Sequence, residues 1–319
     1  MNYMQTKIVI TGGTGMVGRC IKDELSNDLD SNTIRYEFLS SKDVDLTNRE
    51  AVLNYFKNKK YNYIIHLAAN VGGLYKNMSQ NTNMFSSNIK INENILEACV
   101  KNNIRRGIFC LSSCIYPPKP SKFPMDENMI HEGPPHSSNE GYAYSKRMLE
   151  MQCRQYNKAY DTSFICVIPV NLYGPYDYFN LRDGHLLPML IHRFHITKKY
   201  DEIIAYGTGK PLRQFLYAPD FAKIILKILH DMAIEGGNII CCNNDEFTIE
   251  EVVHTVLNVM KIDKKKLKWL TDKADGCMKK TVSNKKLLSL YPEMKFTSFD
   301  DGISKTYKWF LKNYHSIRK

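Results

Sequence analysis

Residues 11–18 read TGGTGMVG and follow directly on the apolar run KIVIT at 7–11. Gly12, Gly15 and Gly18 form a G-x-x-G-x-x-G pattern. The first glycine permits a tight turn, the second lets the backbone approach a pyrophosphate at a helix N-terminus, and the third lets that helix lie close to the strand. The motif carries meaning only between a strand and a helix. Both are present, since an amphipathic segment runs on to about Asn27. A bound dinucleotide is the expectation, with Gly12, Gly15, Met16, Val17 and Gly18 at its diphosphate.

The rest of the first half repeats this rhythm. Apolar runs at 34–40, 61–69, 106–113 and 163–170 read as buried strands, with long helical patterns near 80–102 and 141–160. Near-continuous apolar runs suit strands covered on both faces, and their alternation with helices predicts a Rossmann-type, doubly wound parallel sheet. After about residue 171 the pattern shortens, with helices near 185–199, 218–233, 248–260 and 300–314 and strands near 203–206 and 237–241. The expected division is a dinucleotide-binding unit over 1–170. Residues 171–319 would form mainly a smaller α/β substrate lobe, from which some segments return to the first unit.

The chain has 319 residues, 43% of them hydrophobic, enough for one large unit and a lobe. No apolar stretch approaches the roughly 20 residues of a membrane span. The first residues lead almost at once into a strand, leaving no room for a signal peptide. Nine scattered cysteines, an odd number, suggest reduced thiols and a cytoplasmic protein. Zinc is not expected, because Cys110 and Cys114 have no second pair at ligand spacing. The net charge of +11 suits either nucleic acid or phosphorylated small molecules. The lysine runs lack interleaved aromatic residues, so nucleic acid is not expected, and the runs read as solvated faces.

At the end of the second strand an NAD binder usually places a carboxylate on the ribose hydroxyls. Here the position reads Ser40-Ser41-Lys42, with Arg19 just beyond the last glycine of the turn. Hydroxyls and cations suit a 2′-phosphate, so NADP(H) is expected. Asp45 would face the adenine edge, whereas Asp43 reads equally well as a solvated loop residue. Further on, Tyr142 and Lys146 form a Y-x-x-x-K pair on one helix face. An ammonium there should lower the phenol from about 10, so that it exchanges a proton with a carbonyl or alcohol oxygen near neutral pH. Ser112, at the end of the fourth strand, could hydrogen-bond the same oxygen.

The glycine turn, the Ser112 strand end and YAYSK together resemble the extended short-chain dehydrogenase/reductase superfamily. Within it, the chain resembles the GDP-4-keto-6-deoxy-D-mannose 3,5-epimerase/4-reductases. The likeness runs through SSKDVDLT (40–47), HLAANVGG (66–73), SSCIYP (112–117), NEGYAYSKRM (139–148), VNLYGPYDYFN (170–180), DGHLLP (183–188), GTGKPLRQF (207–215) and DGCMKKT (275–281). It departs from the bacterial pattern at Thr14, where an arginine is usual, which shifts cofactor selectivity onto Ser41, Lys42 and Arg19.

What the resemblance implies is specific. Cys114 and His185 would be the base and acid that invert C3 and C5, both acidified by the C4 ketone. Tyr142 and Ser112 would stabilise the enolate at O4, and Tyr142 with Lys146 would serve the reduction. Leu46, Ala68, Pro169, Asn171, Leu172 and His185 would complete the cofactor site with Ser41, Lys42, Asp45, Tyr142 and Lys146. Asn171, Arg193, Tyr206, Arg213 and Lys280 would hold a GDP-sugar, the cations by charge-assisted bonds to its diphosphate and Tyr206 by stacking on guanine. His66, His192 and His195 read as structural. A homodimer through the helices near 80–102 and 141–160 is also implied. Two alternatives stand: an epimerase/reductase for another 4-keto-6-deoxy nucleotide sugar, and a catalytically silent dinucleotide-binding regulator.

Overall fold

Six parallel strands form the central sheet: β1 (Thr6–Thr11), β2 (Ile34–Leu39), β3 (Tyr63–His66), β4 (Arg106–Cys110), β5 (Ser163–Pro169) and, far along the chain, Gly237–Cys241. Their order is β2-β1-β3-β4-β5 followed by 237–241 at the edge. The computed structural model describes residues 5–26, 34–273 and 275–319; Asn27, the expected end of the first helix, lies outside them. Ile8, Val9, Ile10, Ile64, Ile65, Ile108 and Phe109 are almost wholly buried, as strands covered on both faces require.

From β1 the chain steps one way to β2 and later the other way to β3 and β4. Right-handed crossovers therefore place helix α1 (Met16–Ser26) on one face of the sheet. Helices α2 (Arg49–Phe56), α3 (Leu74–Lys101) and α4 (Glu140–Tyr160) lie on the opposite face. The order reverses between β1 and β3, and the crevice outside their C-terminal ends is where an open α/β sheet binds ligands. Helix α3 begins earlier than its apolar pattern, because the polar turn Leu74–Ser79 is helical up to a break at Gln80 (φ −129°, ψ 25°).

Beyond β5 come β6 (Asn171–Tyr173), α5 (Leu186–Thr197), β7 (Ile203–Tyr206), β8 (Leu212–Tyr217) and α6 (Ala218–His230). The edge strand 237–241 is β9, and β10 (Glu246–Thr248), α7 (Ile249–Val259), β11 (Leu267–Leu270), α8 (Lys285–Leu290) and α9 (Phe299–Lys312) complete the chain. Three of these segments return to the central sheet: β9 as its last strand, α6 against α1, and α8 against β9. Arg106 fixes α6 there. Buried in β4, it donates to the carbonyls of Leu229 (3.1 Å), Ile234 (2.7 Å) and Asp231 at the end of that helix. A cation among the unpaired carbonyls of a helix C-terminus is favourable.

The other elements build the second lobe around their own core of Phe179, Phe194, Phe299 and Phe310. A small sheet runs β10-β8-β6, and β7 pairs with β11. His192 donates from Nδ1 to the Phe179 carbonyl (2.6 Å), and His195 packs on Phe310 and Tyr314, which are structural duties.

Candidate active site

The glycine turn closes over the end of β1. Gly12 sits at φ +68°, and a Cβ there would stand 2.9 Å from the Ala68 amide nitrogen. At Gly18 a Cβ would come within 2.6 Å of the Gly13 backbone, so only glycine lets α1 lie this close to the turn. Met16 and Val17 open α1 and pack on the core. The cradle fits a dinucleotide diphosphate, with the start of an eleven-residue helix facing it.

At the end of β2 the Asp43 carboxylate turns back onto Ser40, accepting from its amide (2.7 Å) and hydroxyl (2.6 Å). These bonds hold Asp43 below the usual carboxylate range. Ser41 and Lys42 stay exposed. Asp45 Oδ1 closes its own turn by accepting from the Thr47 amide and hydroxyl, which keeps its pKa low as well. Leu46 and Leu172 pack against the main core, and Pro169 ends β5. Arg19 donates to the Thr14 carbonyl and lies 5.3 Å from the Tyr176 ring centroid.

A buried polar chain runs beneath the crevice. Thr11 Oγ1 accepts from the Ala68 amide and stands 2.7 Å from His66 Nδ1; His66 Nε2 is 3.2 Å from Asn92 Oδ1, and Asn92 donates to the Ser145 carbonyl at 3.4 Å. Burial, reinforced by nearby Lys146, pushes His66 down to about 3, so the ring stays neutral and serves as a strut from β1 to α4.

Ser112, Cys114, Tyr142 and Lys146 come together at the C-terminal end of β4. Ser112 caps the single turn Ser113–Ile115, its hydroxyl accepting from the Cys114 amide at 3.3 Å. Arg147 of α4 clamps that turn by donating to the Ile115 carbonyl at 2.6 Å. Burial raises the Cys114 thiol, opposed in order by Lys280, a hydrogen bond from Ser112, Lys146 and Arg147. One helical turn separates Tyr142 and Lys146. The Lys146 ammonium, almost fully buried, donates to the Cys110 carbonyl at 2.6 Å and lies 5.9 Å from the Tyr142 ring centroid.

The expected lowering of the Tyr142 phenol is not found. Burial pushes it well above its ordinary range, and neighbouring Cys114 and Cys110 act the same way. Desolvating a phenolate costs more here than an ammonium already engaged by a carbonyl returns. Tyr142 is thus held as the neutral acid, the form able to give a proton away.

His185 precedes α5 and makes no side-chain capping bond, so capping does not explain it. The residue is exposed at the surface yet its ring is closely surrounded by protein, and this desolvation, with Lys76 nearby, lowers the imidazole. Its loop is tied to the start of α3 through the Gly73 amide, which donates to the Asp183 carbonyl at 2.8 Å.

In the second lobe, the Arg193 guanidinium lies 4.0 Å from the centroid of Tyr206, and its Nη1 is buried with no partner among the described residues. An orphaned buried donor of this kind is suited to an anion. Arg213 donates to the Leu212 carbonyl. Lys280 is close enough to both Cys114 and Arg213 for their charges to act on it. Asn171 donates to the Gln214 carbonyl, which joins β6 to the strand that carries Arg213. The sequence reading passed over His136, which lies close enough to Lys280 and Arg213 for their charges to act on it. Its signal was its place in PPHSSNEGY, just ahead of the Tyr142 helix.

No group of three His, Cys, Asp or Glu side chains among the described residues could hold a metal, and none of their helices is long and apolar enough to cross a membrane. All nine cysteines are free.

Comparison with known proteins agrees with this geometry. Residues 8–241 match the model of the NAD dependent epimerase/dehydratase family. The chain is 43% identical to a GDP-L-fucose synthase of Dictyostelium discoideum, over 98% of this chain and 97% of that one. It is 37% identical to a probable GDP-L-fucose synthase of Drosophila melanogaster, over 98% and 99%. A crystal structure of a GDP-L-fucose synthetase from Naegleria fowleri bound to NADP superimposes with a TM-score of 0.90 at 36% identity, covering 100% of this chain and 98% of that one. The chain belongs to the NAD dependent epimerase/dehydratase family and, within it, to the GDP-L-fucose synthase family.

Proposed function

We propose that this chain is a bifunctional 3,5-epimerase and NADPH-dependent 4-reductase that converts GDP-4-keto-6-deoxy-D-mannose to GDP-L-fucose. The observation that carries the reading is the convergence of Ser112, Cys114, Tyr142 and Lys146 at the end of β4; His185, on the loop bonded to Gly73 at the start of α3, is the proposed partner acid. A ketone oxygen bound by Ser112 and Tyr142 acidifies the protons on C3 and C5. Cys114 removes a proton from one face, while His185 returns one to the other, and the oxygen donors stabilise the enolate between these steps. Lys280, Lys146 and Arg147 favour the thiolate that this requires.

Gly12, Gly15, Met16, Val17 and Gly18 would hold NADPH, with Ser41 and Lys42 available to its 2′-phosphate, and the bound cofactor would supply the hydride for C4. Tyr142, held as the neutral acid, delivers the proton to O4. Asp45, Leu46, Ala68, Pro169, Asn171, Leu172 and His185 complete the cofactor site. Arg193, Arg213 and Lys280 hold the diphosphate of the sugar nucleotide, Tyr206 supports Arg193 and stacks on the base, and Asn171 faces the sugar.

The pairing of α3 with α4 supports a homodimer, because Phe85, Met148 and Met151 leave an apolar strip exposed on these packed helices. A second copy of the chain is the occupant, and sedimentation of Met151→Lys as a monomer would test this. Free thiols throughout suit a reducing cytoplasm. The decisive assay supplies GDP-4-keto-6-deoxy-D-mannose with NADPH, follows NADPH loss and identifies the sugar by NMR. NADPH consumption with a different keto-sugar nucleotide alone would move the assignment to that substrate.

A further inference from the structure

A cavity of about 410 Å³ opens beside the site, lined by Leu74, Met78, Asn81, His136, Ser137, Ser138 and Gly276. Its floor leads to the phosphate clamp: a Cβ placed on Gly276 would stand 3.7 Å from Arg213 Nη2. The opposite wall is the segment that caps the turn before α4. That wall is held firmly, since Asn81 of α3 accepts from the Gly141 amide at 2.9 Å and its own amide reaches the Ser137 carbonyl. A Cβ at Gly141 would come within 2.3 Å of the Asn81 carbonyl oxygen, so the two helices meet backbone to backbone here.

The His136 tautomer follows from its partners. The Ser138 amide can only donate, and it donates to His136 Nδ1 at 3.2 Å, with the Ser138 hydroxyl 2.8 Å from the same nitrogen. Nδ1 is therefore the acceptor, and in the neutral ring the proton sits on Nε2. Desolvation first, then Lys280 and Arg213, lowers this imidazole and keeps it uncharged. A third cation beside those two would add repulsion to the empty site, whereas a neutral N–H adds a directional donor at little electrostatic cost.

We propose that His136 is a substrate-positioning residue whose Nε2–H donates to a phosphate oxygen of the nucleotide-sugar diphosphate, completing the clamp formed by Arg213 and Lys280. The assignment rests on the reading that the chain takes a GDP-sugar. It also links specificity to catalysis, because the segment that presents His136 runs directly into the helix of Tyr142 and Lys146.

The test uses the full chain with NADPH, comparing wild type with His136→Ala and His136→Gln, in which the glutamine amide restores an N–H near the Nε2 position. Loss of a hydrogen bond to a charged group should raise KM for the keto-sugar nucleotide about 10- to 100-fold in His136→Ala. The expected change in kcat is within about threefold, far below the loss of an acid or base. Calorimetry should show a matching loss of affinity for GDP but not for guanosine, unchanged NADPH affinity, and partial recovery in His136→Gln. Unchanged GDP affinity in His136→Ala would overturn the assignment. A parallel loss of NADPH affinity that glutamine fails to recover would also overturn it, by marking a structural role. If wild type bound GDP but left the keto sugar unreduced, the proposed reaction would fail, while the GDP affinities would still decide the role of His136.

Discussion

The Lys146 ammonium donates to the Cys110 carbonyl at 2.6 Å, which anchors it to the end of β4 one helical turn from Tyr142. The lysine is therefore fixed by the strand and not by the phenol it accompanies. Reduction by Tyr142→Phe should fall about 10²- to 10⁴-fold, the usual worth of a positioned proton donor. NADPH binding should be retained. Stopped-flow reduction with prebound NADPH checks this, and a normal rate would remove Tyr142 as the donor.

In the proposed mechanism epimerisation and reduction share O4 and its donors Ser112 and Tyr142, but only epimerisation draws on Cys114 and His185. Cys114→Ser replaces an ionisable thiol with a hydroxyl that scarcely ionises near neutrality. The variant should stop exchanging the C3 and C5 protons with deuterated water, yet still slowly reduce the unepimerised ketone to a GDP-6-deoxyhexose of D configuration. Deuterium uptake by mass spectrometry and product NMR read both outcomes; normal fucose formation would contradict the role of Cys114 as base.

The ionisation states give that chemistry a pH signature. Burial raises Cys114, so only a minor fraction is thiolate at neutral pH, and that fraction grows with pH until the raised pKa is passed. In His185→Asn, where exchange depends on the thiolate alone, exchange should rise about tenfold per pH unit below that pKa. In the unmodified chain the lowered His185 loses its proton over the range in which the thiolate is still scarce. The product of thiolate and imidazolium populations is then level between the two pKa values, and full inversion should show a plateau.

Lys42 and Ser41 stand exposed at the end of β2, with the Asp43 carboxylate drawn back onto Ser40. Lys42→Glu should weaken NADPH binding about tenfold or more, as expected for replacing a charge-assisted bond to phosphate by repulsion, and leave NADH nearly unchanged. Titration of both cofactors against both proteins measures this. Equal affinities in the unmodified chain would contradict the selectivity.

Arg106 carries a stability prediction. Arg106→Met leaves several carbonyls at the end of α6 without their buried donor and should cost about 3 kcal/mol, read from urea unfolding. The active-site geometry at the other end of β4 should persist in the fraction that stays folded.

Strands β1, β4 and β5 were legible as apolar runs, and β2 and β3 through the strand–helix rhythm that follows the glycine turn. β6 and β10 were not, since three residues are too few to carry a period and pair only because the lobe brings them together. The return of β9 to the central sheet is likewise a long-range fact, as Gly237–Cys241 could have paired in either unit. Ser112, Cys114, Tyr142, Lys146 and His185 stood out through spacing and segment likeness. His136 did not, because its meaning depends on Lys280 and Arg213, remote in sequence and adjacent only once the lobe folds back. The ionisation of Tyr142 was misjudged for a related reason. Spacing placed a cation one turn away, but burial and the Cys110 carbonyl decide the balance.

The meeting of Gly73 and Gly184 sets how the two halves of the molecule work together. A Cβ on Gly73 would fall 2.2 Å from the Gly184 carbonyl oxygen, so main chain rests on main chain there with no side chain to slide or tilt between them. Gly73 leads into α3, which rides on the nucleotide sheet, and Gly184 immediately precedes His185. His185, proposed as the acid opposite Cys114, is thus registered against the start of α3, like a jaw set on a fixed anvil. On the proposed mechanism, acid and base would then meet the two faces of the sugar at a spacing set by folding and not by closure of the lobe.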